Sequence, residues 1–279
     1  MNATLMIVIV FSICSMAGSS NSIDRPGWLH NRNSIVANTQ KQTPSRAPQP
    51  KTDQEFIDFT IASGMRGGSA MEKAAEDFAV KYPDSEMRVL LFLNAMHEYH
   101  KENNPRKMIT TGEKVLEFEP YNPIGLVLTA AALADTLSDC DPDREAKISK
   151  IQQRANRVLG MLDNFPYPSS ATPEQISVYK RVMSSMAHFA LGIMDLRIGS
   201  DKEAENELQL AAELSRDDPY IWYNLALAQD HLEKYSQALD SVNRALQYAD
   251  LEDDIRLVAS VERDRLLKQI TRAVPRPGC

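Results

Sequence analysis

The sequence predicts an all-α protein, a stack of antiparallel helix pairs closed by a C-terminal helix, and three observations carry that prediction. From Gln54 onward the apolar residues recur at helical rather than alternating spacing. Only 11 glycines occur in 279 residues, against an abundance of Ala, Leu, Glu, Lys and Arg, the residues that lose least in a helix. The chain also repeats itself. A shift of 34 residues carries Leu191 onto Leu225, Gly192 onto Ala226, Ala204 onto Ala238, Leu208 onto Val242 and Ala211 onto Ala245. Phe189 meets Tyr223 and Leu214 meets Tyr248, so large and small residues keep their places. A period of this length marks stacked helical repeats.

Five helix pairs are expected, over residues 54–64 with 69–82, 86–102 with 105–118, 123–138 with 142–164, 173–198 with 201–215, and 219–233 with 235–249, followed by a last helix over 252–272. Gly64, Gly67 and Gly68 break the chain inside the first pair. Pro105 suits a first helical turn. Asp141, Pro142 and Asp143 read as an N-cap, a first-turn proline and an acidic first turn. After the linker Phe165-Pro166-Tyr167-Pro168-Ser169-Ser170, the trio Thr172, Pro173 and Gln175 predicts a capping box with proline at the first position. The helices over 142–164 and 173–198 are longer than their neighbours. In the last helix Ile255, Val258, Leu266 and Ile270 fall towards one side and Asp254, Arg256, Glu262, Arg263 and Lys268 towards the other, as a solvated end cap requires.

One helix pair cannot bury its apolar face alone, so pairs stack on one another. The two backbones of a pair approach closely only where side chains are small. Ala204 and Ala238 supply that on second helices, Gly192 and Ala226 on first helices, while Trp222, Leu225 and Leu208 fill the space between pairs.

These positions resemble the tetratricopeptide repeat. The stretch Pro219 to Asp250 places Trp222, Leu225, Ala226, Ala238 and Ala245 at the family's spacing, with Asp250 where the family often has proline. The preceding repeat has Leu191-Gly192, Ala204, Leu208 and Ala211, with His188 at the aromatic position. A third match ends in Val115-Leu116-Glu117-Phe118-Glu119-Pro120 and is degenerate, with Met108 at the small position and Gly112 at the apolar one. The likeness covers 85–250, is strongest over 186–250 and loose over 139–172. It implies a right-handed superhelix with no cofactor, whose first helices line a concave groove. Carried onto this sequence, the groove positions are Asn94, His97 and Lys101, then Met186, Phe189, Ile193 and Arg197, then Tyr220, Tyr223, Asn224, Leu227 and His231. An aromatic and aliphatic strip edged by Asn and Arg suits a bound peptide. The competing reading for Phe189 and Ile193 is core between helices.

Net charge is -7, which argues against nucleic acid as the main partner. Residues 20–51 hold five basic side chains and Asp24, a sum of +4, and residues 1–19 hold no charge, so residues 52–279 carry -11. Leu5 to Ala17 is an apolar run followed by the small residues Ala17-Gly18-Ser19, the pattern of a cleaved secretion signal over 1–19. The absence of Lys and Arg before it departs from that pattern, and an uncleaved anchor or a misassigned start codon are the alternatives. Cys14 invites lipidation, but Ile13 precedes it where a small side chain is normal. Residues 20–53, rich in Ser, Asn, Gln, Thr and Pro, read as a disordered tether, with Trp28 and Leu29 either a docking motif or isolated apolar residues. Residues 54–272 form the repeat domain and 273–279 a flexible tail. Export makes a disulfide between Cys140 and Cys279 possible, and two unpaired thiols are equally compatible with the sequence.

No motif proposes catalysis or a metal. His97-Glu98-Tyr99-His100 is one residue short of the zinc-protease spacing and lacks a third ligand. Asp139, Asp141, Asp143 and Glu145 alternate like a calcium loop without its glycine and final glutamate. Gly64-Met65-Arg66-Gly67-Gly68 lacks the Lys-Ser/Thr ending of a phosphate loop. The expectation is an exported, periplasmic or secreted scaffold that is not an enzyme and binds a protein or peptide segment in its groove. The alternative is a structural part of an envelope complex, attached to a membrane only through its N-terminus and assembling through its outer surface. An enzyme would require a deep polar pocket between 139 and 198, and a continuous apolar seam there would exclude it.

Overall fold

The computed structural model describes residues 48–250 and 254–273. The signal, most of the tether, Cys14, Trp28, Leu29 and Cys279 lie outside these residues. Among the described residues there are eleven α-helices and no strand. They are α1 (Asp53–Ser63), α2 (Gly68–Lys81), α3 (Arg88–Lys101), α4 (Pro105–Phe118), α5 (Pro123–Asp135), α6 (Arg144–Met161), α7 (Pro173–Ile198), α8 (Asp201–Leu214), α9 (Pro219–His231), α10 (Tyr235–Tyr248) and α11 (Asp254–Ala273), with a short 3-10 turn at Leu162–Asn164. Each helix packs on the next, and first helices also touch across the stack, α1 on α3, α5 on α7, α7 on α9 and α9 on α11. The expected five pairs and closing helix are therefore present.

Local chemistry sets the starts. Asn104, Asn122 and Asp218 each accept a backbone N–H with the side chain, and each is followed by proline at the first helical position. The capping box at Thr172 forms in both directions, with Gln175 N–H donating to Thr172 Oγ1 at 3.2 Å and Thr172 N–H donating to Gln175 Oε1 at 2.9 Å. The start of α6 departs from expectation. Asp143 rather than Asp141 occupies the N-cap. Asp141 instead accepts from the Ser138 N–H at 2.9 Å and pairs with Lys147 at 2.9 Å. Binding the loop behind it takes that carboxylate away from the helix.

Close approach explains the small residues. A methyl carbon added at Gly192 of α7 would sit 2.5 Å from Leu208 Cγ of α8, so the pair packs at this distance only without a side chain. At Gly112 of α4 the space is filled by the Thr129 methyl of α5, 2.1 Å from where a Cβ would lie. That degenerate repeat has exchanged its own apolar side chain for its neighbour's.

The core has three parts. One joins α1 to α5 through Ala75, Phe78, Leu91, Phe92, Met96 and Val115. The central one joins α5, α6 and α7 through Val127, Leu133, Ile151, Val158, Val182 and Met194. The third joins α8 to α11 through Leu208, Trp222, Leu225, Val242 and Leu266. Between 139 and 198 the helices thus meet along an apolar seam. The Arg244 guanidinium covers the Trp222 ring at 4.5 Å, and the indole N–H donates to Arg216 O at 2.7 Å.

The closing helix is turned differently from the expectation, which puts Val258 inward and Glu262 outward. Ile255, Ala259, Glu262 and Leu266 are buried, whereas Leu257, Val258, Val261 and Leu267 are exposed. Glu262 is tolerated inside because Arg265 donates to both its oxygens, at 2.9 and 2.7 Å, and Arg265 also pairs with Asp230 of α9.

Candidate peptide-binding surface

The first helices form the row in which the expected groove positions lie. On α9, the cap by Asp218 orients the first turn, with its Oδ1 accepting from the N–H groups of Tyr220 at 3.0 Å and Ile221 at 3.4 Å. Tyr220 is left 48% exposed. Tyr223 is half-buried against the third core, where desolvation and the Glu262 carboxylate push its hydroxyl above the ordinary phenol range against the opposing pull of Arg265. Asn224 spends its amide N–H on Tyr220 O at 2.8 Å. Leu227 is half-buried and His231 exposed. The His231 ring is tied through Nδ1 to Asp201 at 2.8 Å, which joins α9 to the start of α8.

On α7 the row is more closed. Phe189 packs on the third core and Ile193 on the central one. Met186 packs on both the central core and the core joining α1 to α5. Only Arg197 is exposed. On α3, Asn94 and His97 are half-buried. The His97 Nδ1 is buried without a hydrogen-bond partner. Desolvation and the nearby Lys101 charge hold the ring below the usual imidazole range. Lys101 donates to Glu98 Oε1 at 2.5 Å. The other Glu98 oxygen accepts from the Gly67 N–H at 2.9 Å, and Glu102 accepts from the Gly68 N–H at 2.6 Å. Two carboxylates of α3 thereby satisfy the free N–H groups at the start of α2, and Lys101 belongs to that arrangement.

The structure thus brings Tyr220, Tyr223, Asn224, Leu227 and His231 onto one helix at the C-terminal part of the row, and it places Asn94, His97 and Lys101 on another helix at the N-terminal part. It also adds residues that sequence reasoning missed. The 34-residue shift, continued once more, carries Tyr223 onto Leu257, Asn224 onto Val258, Leu227 onto Val261 and His231 onto Arg265. Leu257 is 71% and Val261 64% exposed. The signal is in the sequence, but reading the closing helix as a cap, and not as a sixth first helix, hides it. Among the described residues no group of three or more His, Cys, Asp or Glu side chains gathers to hold a metal, and Cys140 is an exposed free thiol. No helix among them is long and apolar enough to cross a membrane.

Sequentially stacked antiparallel pairs, with first helices in one row and second helices in another, define an α-helical solenoid. Its fold is tetratricopeptide-repeat-like. The chain is similar to the crystal structure of TTC0263, a thermophilic TPR protein of Thermus thermophilus, with 14% identity, coverage of 75% of this chain and 98% of that one, and a TM-score of 0.51. It also aligns with MamA from Desulfovibrio magneticus RS-1, with 16% identity, coverage of 67% and 97%, and a TM-score of 0.39. No protein-family model matches the chain, and no curated protein does.

Proposed function

We propose that this protein is an exported, non-catalytic interaction scaffold that holds a segment of a partner protein along the C-terminal end of its first-helix row. The observation that carries the reading is the exposure of Leu257 and Val261, which lie one repeat on from Tyr223 and Leu227, together with the exposure of Tyr220 on the preceding first helix. Half-exposed tyrosine beside exposed aliphatic side chains is the composition of protein-binding surfaces, and an apolar patch edged by charge on a monomer marks an interaction site. Arg197, His231 and Arg265 form the polar edge. The apolar seam between α6 and α7 supports a scaffold over an enzyme. Export is supported by the apolar run from Leu5 to Ala17 and the small residues after it.

A photo-crosslinking side chain at position 257 or 220 should capture a defined partner in the native host, and one at Asn243 on the outer helix α10 should not. Tyr220→Ala with Val261→Glu should weaken capture by tenfold or more, since one buried anchor contributes about 2 kcal/mol. Equal capture from both faces would count against the groove. Intact mass of the mature protein tests export: a soluble species beginning near Ser19 or Ser20 supports it, while a membrane-held species retaining Met1 or a modified Cys14 favours the anchored envelope component.

A further inference from the structure

The opposite end of the stack carries a second apolar surface. Helix α1 buries Glu55 and Ala62 and packs Phe59 on the first core. Glu55 accepts from the Lys51 N–H at 2.7 Å and from the Ser85 hydroxyl at 2.5 Å, so the inward face is fixed. The outward face presents Phe56, Ile57 and Ile61, with Met65 just beyond the helix, at 39 to 59% exposure. These four fall within one side of the helix at 100° per residue. Terminal repeats normally turn a polar face outward, so four large apolar side chains on the first helix need a cover.

We propose that the cover is the chain's own residues 28–36, folded back over α1 in cis. Three observations select this occupant over a second copy or an unrelated protein. First, between Asn21 and Gln49 the large apolar residues are Ile23, Trp28, Leu29, Ile35 and Val36, so the segment Trp28–Val36 holds four of them. Second, residues 37–52 between that segment and α1 are mostly Asn, Thr, Gln, Ser, Ala and Pro. Sixteen extended residues reach about 50 Å, and α1 is about 16 Å long, so the return is unstrained in either direction. Third, residues 20–51 carry +4 and the body -11, which draws the segment onto the fold. Arg32 lies between the two apolar pairs. A tethered segment also meets its site at an effective concentration of about 1 mM, which a second copy at micromolar concentration cannot match. Counted from the starts of α2 and α4, Phe56 and Ile57 take the places that Leu93 and Asn94 take on α3, so the apolar face proposed as the docking site lies at the N-terminal end of the first-helix row. This inference does not depend on what binds at the C-terminal end.

The chain has two tryptophans, Trp28 and Trp222, and Trp222 is buried in the third core. Subtracting the emission of a Trp28→Phe variant from that of the full chain isolates Trp28. Acrylamide should quench this signal several-fold less than it quenches a free peptide of residues 20–47. Dilution through the micromolar range should leave the protection unchanged. Ile57→Asp with Ile61→Asp should raise quenching to the peptide's value with the helical circular dichroism retained, because the two side chains are 49% and 59% exposed. Leu29→Asp should do the same without touching a helix. Quenching equal to the free peptide in the unmodified chain would overturn the proposal. So would protection lost on dilution, which would assign the cover to a second copy, or protection that survives both sets of substitutions.

Discussion

Asp195 is a buried acid whose neutralisation should stabilise the protein. It lies near the C-terminal end of α7, 9% exposed, where α8 packs on that helix. Burial first, and then the charges of Glu207 and Glu203, lift its pKa from 3.8 to about 6. The His188 ring engages the Glu207 carboxylate at 2.7 Å. In the unfolded chain Asp195 ionises through pH 3.8, whereas in the fold it stays protonated until about pH 6. The folded state therefore binds more protons between these values, and stability falls as pH rises through that window. A lift of about two units corresponds to about 3 kcal/mol of penalty above pH 6 and none below pH 4. Asn keeps the volume and removes the charge. Asp195→Asn should raise the free energy of unfolding at pH 8 by about 1–3 kcal/mol, allowing for the desolvation of an amide. The gain should vanish near pH 4. Urea unfolding followed by circular dichroism at pH 4, 5, 6, 7 and 8 measures it. A variant that is no more stable at pH 8, or whose advantage is the same at pH 4, would refute the assignment of burial as the dominant effect.

The other predictions concern packing and the surface. Burial raises the Glu72 pKa, but hydrogen bonds from Tyr99, Lys107 and Lys114 outweigh it and hold the carboxyl at about 2. Its contribution, up to about 3 kcal/mol, is present above pH 4.5 and lost as pH falls towards 2. Glu72→Gln should cost most of this at pH 7 and flatten the acid limb of the stability profile. Gly192→Val would place side-chain atoms against Leu208, and overpacking of this kind costs about 1–3 kcal/mol, a melting-temperature loss of about 2–12 °C. A scan showing no loss would mean that α7 and α8 can move apart freely. Leu257→Glu should leave the melting temperature within about 2 °C, since the side chain is exposed, while reducing photo-capture at position 220.

Much of the fold is legible in the sequence because it rests on two local patterns. Proline after Asn or Asp, and the trio Thr172, Pro173 and Gln175, carry their helix starts in a few consecutive residues. The small residues Gly192, Ala204, Ala226 and Ala238 recur at a fixed period because two helix backbones must approach there. What fails is what depends on partners distant in sequence. Asp141 has the right place for a cap, yet Ser138 and Lys147 claim its carboxylate. In α11 the buried row runs through Ala259 and Glu262, neither of which reads as core. Glu262 is inside because Arg265, itself held by Asp230 of α9, satisfies its charge. Once that row turns inward, Leu257 and Val261 must face out. The candidate surface is half visible for the same reason: the repeat period marks Tyr220 and Tyr223, but carrying it past the last complete pair requires knowing which side of α11 is buried.

The middle of the first-helix row decides where a partner can lie. One repeat on from Leu93, Asn94 and His97, the α5 positions are Val127, Leu128 and Ala131. Val127 is fully buried and Leu128 is 9% exposed. The cause is α7, whose 26 residues start well before its tetratricopeptide-like part. The added turns bring Tyr179, Val182 and Met183 into the same core as Val127 and Ala134, and Met186 follows against the core that contains Leu128. A peptide running the whole row would have to displace Met186 and reopen that core. Removing one buried Met side chain from its contacts already costs about 2–5 kcal/mol, which is a large fraction of the free energy of an ordinary peptide complex. The row therefore acts as two separate surfaces. The C-terminal one, from Tyr220 to Val261, keeps Tyr220, Leu257 and Val261 exposed and is the surface proposed for a partner. At the N-terminal one, the exposed Phe56 and Ile57 are the face over which the chain's own residues 28–36 are proposed to fold. A Met186→Ala variant should open the centre only at that cost in stability. If instead it bound partner more tightly with no loss of stability, α7 would be a movable lid and not a fixed part of the core.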